Sequence, residues 1–422
     1  MTLRFLDLFA GAGGLSEGFI QAGYTPVAHV EMDKAACYTL RTRAVFHELN
    51  KTTEGQQIYK DYLLGKISRE KLYSTVPQRI TDSVIEEVIG ADTIDNIFAQ
   101  IDKLCEGHPV DVVVGGPPCQ AYSLAGRSRK GESIKSDARN YLFEYYAKFL
   151  RKYQPRYFVF ENVTGLYTAR DVNNASFFDQ VRDALEDAGY DLFTNECRAE
   201  EYGVPQRRRR IIIIGCRRGH DVCAPTLDST GEYPDTIFNL FSDLKPIKAG
   251  SGYIKADGRS MPPLKWLVDN GISDNTYPVT YHQARPHNDH DLEIYRNAVD
   301  IWNKEGRRFN YLKDVPDSEK THKNTKAFLD RFKVVDGLSH ASHTVVAHIC
   351  KDGHYYIHPD KDQNRSLTPR EAARLQTFPD NYFFETPTGK ESRMYAYKQI
   401  GNAVPVLLSK QIALQLKPYL EE

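Results

Sequence analysis

Up to about residue 218, short apolar runs alternate with stretches whose apolar positions recur at helical spacing. The runs Leu3–Phe9, Pro26–Glu31, Val110–Val114, Tyr157–Phe160 and Arg210–Ile214 predict strands of the kind buried on both faces. Leu15–Ala22 and Ser176–Ala188 predict helices between them, the second closed by Gly189 as a C-cap. This alternation predicts an α/β domain built on a mainly parallel sheet. Residues 39–105 carry a longer helical insert. Beyond residue 219 the alternation stops. A polar stretch rich in Gly, Pro, Asp and Tyr runs to about 345, interrupted by one amphipathic helix near Leu292–Trp302. Helical patterns return over Leu367–Phe378 and Tyr397–Leu416. The second half therefore predicts a smaller, less regular domain, and no internal repeat is visible.

A length of 422 residues exceeds one average domain, in keeping with that division. No apolar run is long enough to span a bilayer, and no basic segment followed by an apolar stretch opens the chain. A cytoplasmic protein without membrane contact is expected. The seven cysteines are scattered with no C-x-x-C pair, which argues against a disulfide framework and for a reducing cytosol. The formal net charge of −1 gives by itself no sign of a nucleic-acid partner, so charge has to be read locally. Residues 121–140 hold five Lys/Arg against Glu132 and Asp137, residues 303–333 hold nine against five acids, and Gln206 is followed by four consecutive arginines. Such clusters can meet phosphates even on a neutral protein, although solvated surface explains any one of them equally well.

The first candidate site is the loop after the first predicted strand, Leu6-Asp7-Leu8-Phe9-Ala10-Gly11-Ala12-Gly13-Gly14-Leu15-Ser16. Missing side chains let a ligand approach the backbone, and the helix start favours an anionic group. Glu31, at the end of the next predicted strand, is placed to accept hydrogen bonds from ribose hydroxyls. A dinucleotide loop, G-x-G-x-x-G, would need Gly or Ala where Ser16 stands. The sequence is nearer to an S-adenosylmethionine loop, which has no pyrophosphate to cradle.

The second site follows the strand ending at Val114: Gly115-Gly116-Pro117-Pro118-Cys119-Gln120-Ala121-Tyr122-Ser123. Glycines and prolines at the C-terminal end of a buried strand build a fixed turn where α/β sheets bind ligands. A cysteine there is positioned to react, whereas most cysteines fill cores. An ordinary thiol, with a pKa of about 8.5, is only a few per cent thiolate at neutral pH, so Cys119 needs cationic neighbours. Arg208 and Arg210 are the candidates.

Pro117-Pro118-Cys119-Gln120 resembles the catalytic motif of cytosine-5 DNA methyltransferases of the bacterial restriction-modification type, and further segments resemble that family's motifs in the family's order. Asp7–Gly14 resembles the first motif and Glu31-Met32-Asp33 the second, with Glu31 on ribose and Met32 beside adenine. Asp92 resembles the acid of the third, Asn140–Phe143 the fifth, and Phe160-Glu161-Asn162-Val163 the Glu-Asn-Val motif. Gln206–Arg210 matches Gln-x-Arg-x-Arg. Arg365–Phe378 resembles the ninth motif and Gln399–Pro405 the tenth.

The resemblance implies a Rossmann-like S-adenosylmethionine-dependent methyltransferase domain formed by 1–218 and 388–422, with a smaller, irregular target-recognition domain over 219–387. It assigns cofactor binding to Asp7, Phe9, Ala10, Gly11, Gly13, Gly14 and Leu15, to Glu31, Met32 and Asp92, to Gly116, Pro118 and Leu142, and to Asn402 and Ala403. It assigns catalysis to Cys119, Glu161, Arg208 and Arg210, and DNA contact to Gln120, Ser123, Arg127, Arg129, Arg207 and Arg209. In the implied chemistry the Cys119 thiolate adds to carbon 6 of cytosine and makes carbon 5 electron-rich. Glu161 serves N3, and Arg210 serves O2, with Arg208 beside Cys119 and Glu161. The target base must leave its duplex to be reached. Residues 123–139 suit a basic closing loop, and 303–333 with 335–348 are where base edges are read.

The expected partners are double-stranded DNA and, functionally, a restriction endonuclease; the chain is expected to act as a monomer. His340, His343, His348, Cys350, His354 and His358 crowd one stretch. Their spacing fits no metal template, so no metal is expected, and alternation over Thr344–His348 and His354–His358 predicts strands. Two rival readings are the same chemistry on RNA and a catalytically silent DNA-binding regulator. Family members acting on transfer RNA carry a Cys-Phe-Thr tripeptide that this chain lacks, and Cys119, Glu161 and an arginine pair are all present together.

Overall fold

The apolar runs of the first half assemble into one seven-stranded sheet. The computed structural model describes residues 2–118, 138–219, 225–320 and 329–421. The strands are β1 (Arg4–Leu8), β2 (Thr25–Glu31), β3 (Val84–Glu86), β4 (Val112–Gly115), β5 (Tyr157–Asn162), β6 (Tyr190–Arg198) and β8 (Arg209–Arg217), in the order β3-β2-β1-β4-β5-β8-β6. A two-residue strand, β7 (Gln206–Arg207), stands outside this sheet. Pairing is parallel from β3 through β5, and β8 runs antiparallel to both β5 and β6. This is the Rossmann-like α/β arrangement expected.

Alternate residues of the strands serve two cores. Leu6, Leu8, Val113, Phe158, Phe160 and Ile213 face the helices Ile94–Cys105, Leu142–Tyr153 and Phe177–Glu186. Phe5, Val112, Val114, Val159, Ile212 and Ile214 face the helices Gly14–Gln21 and Val406–Leu416. Burial on both faces is why these strands read as unbroken apolar runs. Two strands escape that reading. β3 is only three residues long, and β6 is an edge strand carrying Asp191, Thr194, Asn195 and Glu196.

Half of the described α-helices begin where a side chain caps them. Ser176 accepts from Asp179 N at 3.3 Å, and Thr368 with Glu371 forms a full capping box at Pro369–Leu375. The helix expected near Leu292–Trp302 is longer, Asp289–Glu305, capped by Asn288. The pattern over Tyr397–Leu416 is two helices, Arg393–Asn402 and Val406–Leu416. Pro405 has no amide to continue the first and caps the start of the second.

The insert packs its aromatic rings across to the second half. Tyr59 meets Tyr277 with ring centroids 5.8 Å apart, and Tyr62 meets Phe383 at 5.3 Å. They join a core shared with Leu240, Tyr281, Leu375, Phe378 and Ile400. A separate small core gathers Tyr295, Val299, Phe309 and Phe332 around the helix Asp289–Glu305.

The strands expected over Thr344–His348 and His354–His358 are not formed. Ser342–His343 pairs with β7, and 3-10 turns at Ala347–Cys350 and His354–Tyr356 follow. Local bonds such as Ile349 N to Val346 O, 3.0 Å, take the place of a ladder. The histidines here have protein partners: Tyr295 for His354 at 2.9 Å, Tyr355 O for His343, and Asp360 N for His358 at 3.1 Å. Among the described residues no group of three His, Cys, Asp or Glu is placed to hold a metal ion, and no helix is long and apolar enough to cross a membrane.

Candidate active site

The order of the sheet reverses between β1 and β4, and the crevice beyond their C-terminal ends is where such sheets bind ligands. Leu8 lies opposite Gly115, so the two candidate loops leave the sheet side by side. A Cβ on Gly115 would sit 2.3 Å from the Leu8 carbonyl oxygen, and only glycine permits this approach.

On the β1 side the chain turns sharply. Phe9, Gly11 and Gly13 have φ of 56°, 54° and 82°. For Phe9 this left-handed conformation costs about 1–3 kcal/mol, a strain typical of functional loops. Gly14 opens its helix against the returning C-terminal segment, where a Cβ would meet Val404 O at 2.2 Å and the Ala403 Cβ at 3.2 Å. Glu31 ties the loop to β2. Its carboxylate accepts from Gly11 N at 2.7 Å, Met32 N at 2.9 Å and Asp33 N at 2.7 Å. Three bonds to a group with about four lone-pair sites leave room for a hydroxyl. Burial raises the Glu31 pKa despite these bonds.

Asp7 lies beneath the loop, 1% exposed, and neither of its carboxylate oxygens has a hydrogen-bond partner. Burial pushes its pKa well up; the nearby Ser16 hydroxyl opposes this and the Glu31 charge adds to it. The Ser16 hydroxyl itself is directed to Gly13 O, at 3.3 Å. Met32, beside Glu31, is 60% exposed at the rim. Leu142 is half-buried at the start of its helix, Asn402 is exposed at the end of its helix, and Ala403 is buried against Gly14. Asp92 is exposed on the turn before Ile94–Cys105. On the row of Glu31 stand Glu86, its register partner at the end of β3, and the following Glu87, whose amide bonds Glu31 O at 3.1 Å. A three-residue strand gives too weak a pattern for sequence reading to have placed them.

On the β4 side, Glu161, the last residue but one of β5, stands opposite Ile212, which makes Arg210 its diagonal neighbour on the same face of an antiparallel pair. The two meet at 2.5 Å, Arg210 Nε to Glu161 Oε1, with side chains 12% and 14% exposed. This is a charge contact more than an aligned hydrogen bond. A Cβ on Gly116 would lie 2.5 Å from Glu161 Oε2, so glycine makes room for the carboxylate three residues before Cys119. Asn162 was not singled out from sequence, yet it fixes both turns: its Nδ2 donates to Pro117 O at 3.4 Å and its Oδ1 accepts from Val163 N at 2.9 Å. Pro117, Pro118, Asn140, Phe160 and Asn162 line a small hollow there.

The Gln-x-Arg-x-Arg segment alternates cleanly between buried and exposed residues. Gln206 receives the Val345 amide at 2.8 Å and donates to Leu375 O at 3.0 Å. Arg208, 2% exposed, donates to Val345 O at 2.7 Å and Gly401 O at 3.4 Å, with its Nε left unbonded. Burial pulls its pKa well below the usual arginine range, and the positive charge of Arg210 adds to this while Glu161 opposes it. Arg207 and Arg209 point outward; Arg207 donates to Ser339 Oγ at 3.2 Å, and Arg209 lies 3.9 Å from Glu196. Cys119, Gln120, Ser123, Arg127 and Arg129 lie outside the described residues.

Comparison with known proteins bears on the chain as a whole. The family model for C-5 cytosine-specific DNA methylases matches residues 3–66 and 88–418. The chain is 37% identical over 451 aligned positions to the type II methyltransferase M.Bpa9945I of Bacillus paralicheniformis, covering 98% of each chain. It is 28% identical to the type II methyltransferase M1.HphI of Haemophilus parahaemolyticus, covering 98% of this chain and 86% of that one. Among solved structures, a candidate DNA modification methyltransferase encoded in an E. coli prophage superposes with a TM-score of 0.65 at 20% identity, each chain fully covered, which speaks to the fold. The chain belongs to the C-5 cytosine-specific DNA methylase family.

Proposed function

We propose that this chain methylates carbon 5 of a cytosine swung out of duplex DNA, with S-adenosylmethionine as methyl donor and Cys119 as a transient covalent nucleophile. The observation that carries the reading is the Glu161 carboxylate, held between Arg210 and the glycine turn that leads into Cys119. It stands on the same sheet edge as the Phe9–Gly14 loop.

The β1 side suits the donor. Glu31 has acceptor capacity for a ribose hydroxyl, Met32 offers an exposed apolar surface for adenine, and the unpartnered Asp7 carboxylate suits a cation above the loop. Bound there, S-adenosylmethionine supplies the electrophilic methyl group that carbon 5 takes up. Asp7, Phe9–Leu15, Glu31 and Met32 hold it from one side, and Gly116, Pro118, Leu142, Asn402 and Ala403 from the other.

Carbon 5 of cytosine is a poor nucleophile until a group adds across the 5,6 bond. The Cys119 thiolate forms a bond to carbon 6, and the displaced electron pair moves toward N3 and carbon 5. Glu161 donates a proton to N3 and accepts from the exocyclic amine; Arg210 stabilises charge on O2. After methylation the carbon 5 proton leaves to a base, the sulfur–carbon bond breaks, and the thiolate is restored. Arg208 holds positive charge behind the pair. Residues 219–387 serve as the target-recognition domain, with Arg207, Arg209, Gln120, Ser123, Arg127 and Arg129 on the DNA. By likeness to the type II relatives, the chain is the modification partner of a restriction endonuclease.

Trapping tests the reading directly. Duplexes carrying 5-fluorocytosine at the target are expected to form an adduct that survives denaturing electrophoresis, since fluorine cannot leave as a proton does. Cys119→Ser is expected to form none and to transfer no methyl group, with its melting temperature kept. Full turnover by Cys119→Ser would falsify the nucleophile assignment.

A further inference from the structure

An open cleft of about 520 Å³ lies between Gln283, Arg285 and Pro286, Cys350 and Lys351, and the start of the helix Arg393–Asn402. Arg285, Lys351 and Arg393 line it, with Gln283, Met394 and the exposed Glu391 at its margin. The two guanidiniums are fixed in place. Arg285 donates to Ile349 O at 2.9 Å and Cys350 O at 3.2 Å and lies over the Tyr397 ring at 5.4 Å. Arg393 donates to Ala284 O at 2.6 Å.

None of the three cations has an ion-pair partner among the described residues. Arg393 is held below the usual arginine range, first by burial and then by repulsion from Arg285, with Tyr397 opposing. Glu391 at the margin is in no ion pair among the described residues, and Asp352 is taken by Arg331. His287 alongside is pushed down to about 3, chiefly by burial and by His354, and adds no charge at neutral pH. Rigid, like-charged groups facing one wide cleft are unfavourable alone and are relieved by an anion with several oxygens. The helix Arg393–Asn402 also begins here without a side-chain cap.

We propose that this cleft grips a backbone phosphate of the duplex through Arg285, Lys351 and Arg393. The proposal rests on the reading of the chain as a DNA methyltransferase and adds a contact that positions the duplex without reading its sequence. The helix that starts at the cleft ends at Asn402, beside the Ala403–Val404 segment packed on Gly14.

Lys351→Gln and Arg393→Gln test this in the full chain, with melting temperature as the check on folding. Duplex affinity is measured against salt, on a duplex that the wild type methylates and on an unrelated one. Each variant is expected to lower the slope of log affinity against log salt by up to about 0.9, the two together by no more than that, and to weaken both duplexes roughly 3- to 10-fold. Lys351 is exposed, so its variant reports even if Arg393→Gln fails to fold. Wild-type slope and affinity in a folded Lys351→Gln would overturn the contact. Protection of the wild type from heat by inorganic phosphate, lost in Lys351→Gln with the duplex slope unchanged, would assign the cleft to a free anion and overturn it too. A wild type that binds and methylates no duplex would bring down the underlying function instead.

Discussion

Two regions of this molecule are built from the same residue types and treat them in opposite ways. At the reacting edge, Glu161 meets Arg210 through one contact, both side chains partly open, and Asp7 is buried with no bonded partner. Behind it, around Pro369–Leu375, the charges of Arg365, Arg370, Glu371 and Arg374 are all engaged. Arg374, 0% exposed, holds both oxygens of Asp243 and both of Asp380 and donates to Leu240 O at 2.8 Å. Arg365 pairs with Glu371 through two bonds of 2.7 Å, and Arg370 donates to the carbonyls of Thr280, Pro379 and Tyr382. A saturated pair has nothing left to offer a ligand and holds segments together. An acid or arginine kept short of partners is one that substrate can complete. Hydrogen-bond completeness, more than residue type, separates structure from chemistry here.

The largest expected effect breaks the saturated region. Arg374→Ala leaves Asp243 and Asp380 buried with only the more distant Arg259 at 3.9 Å and Arg370 at 3.8 Å, and should cost about 3–5 kcal/mol in chemical denaturation. Its loss of activity should track its loss of folded protein. Unchanged stability would mean that saturation does not mark structural charge. Arg210→Ala should do the reverse. With its pair partly open, stability should change by about 1 kcal/mol or less, while the methyl-transfer rate at saturating substrates falls about 10²–10³-fold. A variant equally damaged in folding and rate would erase the contrast.

The sequence shows the two regions unevenly, for physical reasons. β1, β2, β4, β5 and β8 are legible because strands buried on both faces have to be apolar throughout. The loops at their ends are legible because glycine and proline are costly there without a purpose: Gly14, Gly115 and Gly116 each abut an atom that a side chain would displace. β6 is hidden because an edge strand can be polar, and the turns of residues 344–358 are hidden because short-range bonds leave no periodicity. The three arginines of 365–374 fall in the segment that resembles the ninth motif, and the sequence names no partner for them. Their acids lie as far off as Asp243, and that distance is bridged only by the fold. Asn162 belongs to the same class, since one amide fastens a turn 45 residues away.

The smallest effect sharpens the comparison through its sign. Burial raises the Asp7 pKa above that of the unfolded chain, and Glu31 adds to the rise. The folded state therefore holds this proton more tightly than the unfolded state does. Ionised Asp7 weakens the fold at neutral pH, and the penalty is removed as pH falls through the folded value toward ~3.9. Asp7→Asn removes the charge at nearly constant shape. It should gain about 1 kcal/mol of stability at pH 8, with the gain shrinking steadily on acidification, and should bind S-adenosylmethionine more weakly by calorimetry. Glu371 behaves oppositely. Burial alone would raise it, but Arg365 and His358 carry it well down, so its stabilisation is complete above about 4.3 and is lost only below that. If Asp7→Asn is less stable than wild type across the whole range, the under-bonded acid is structural after all, and incomplete bonding ceases to mark the site.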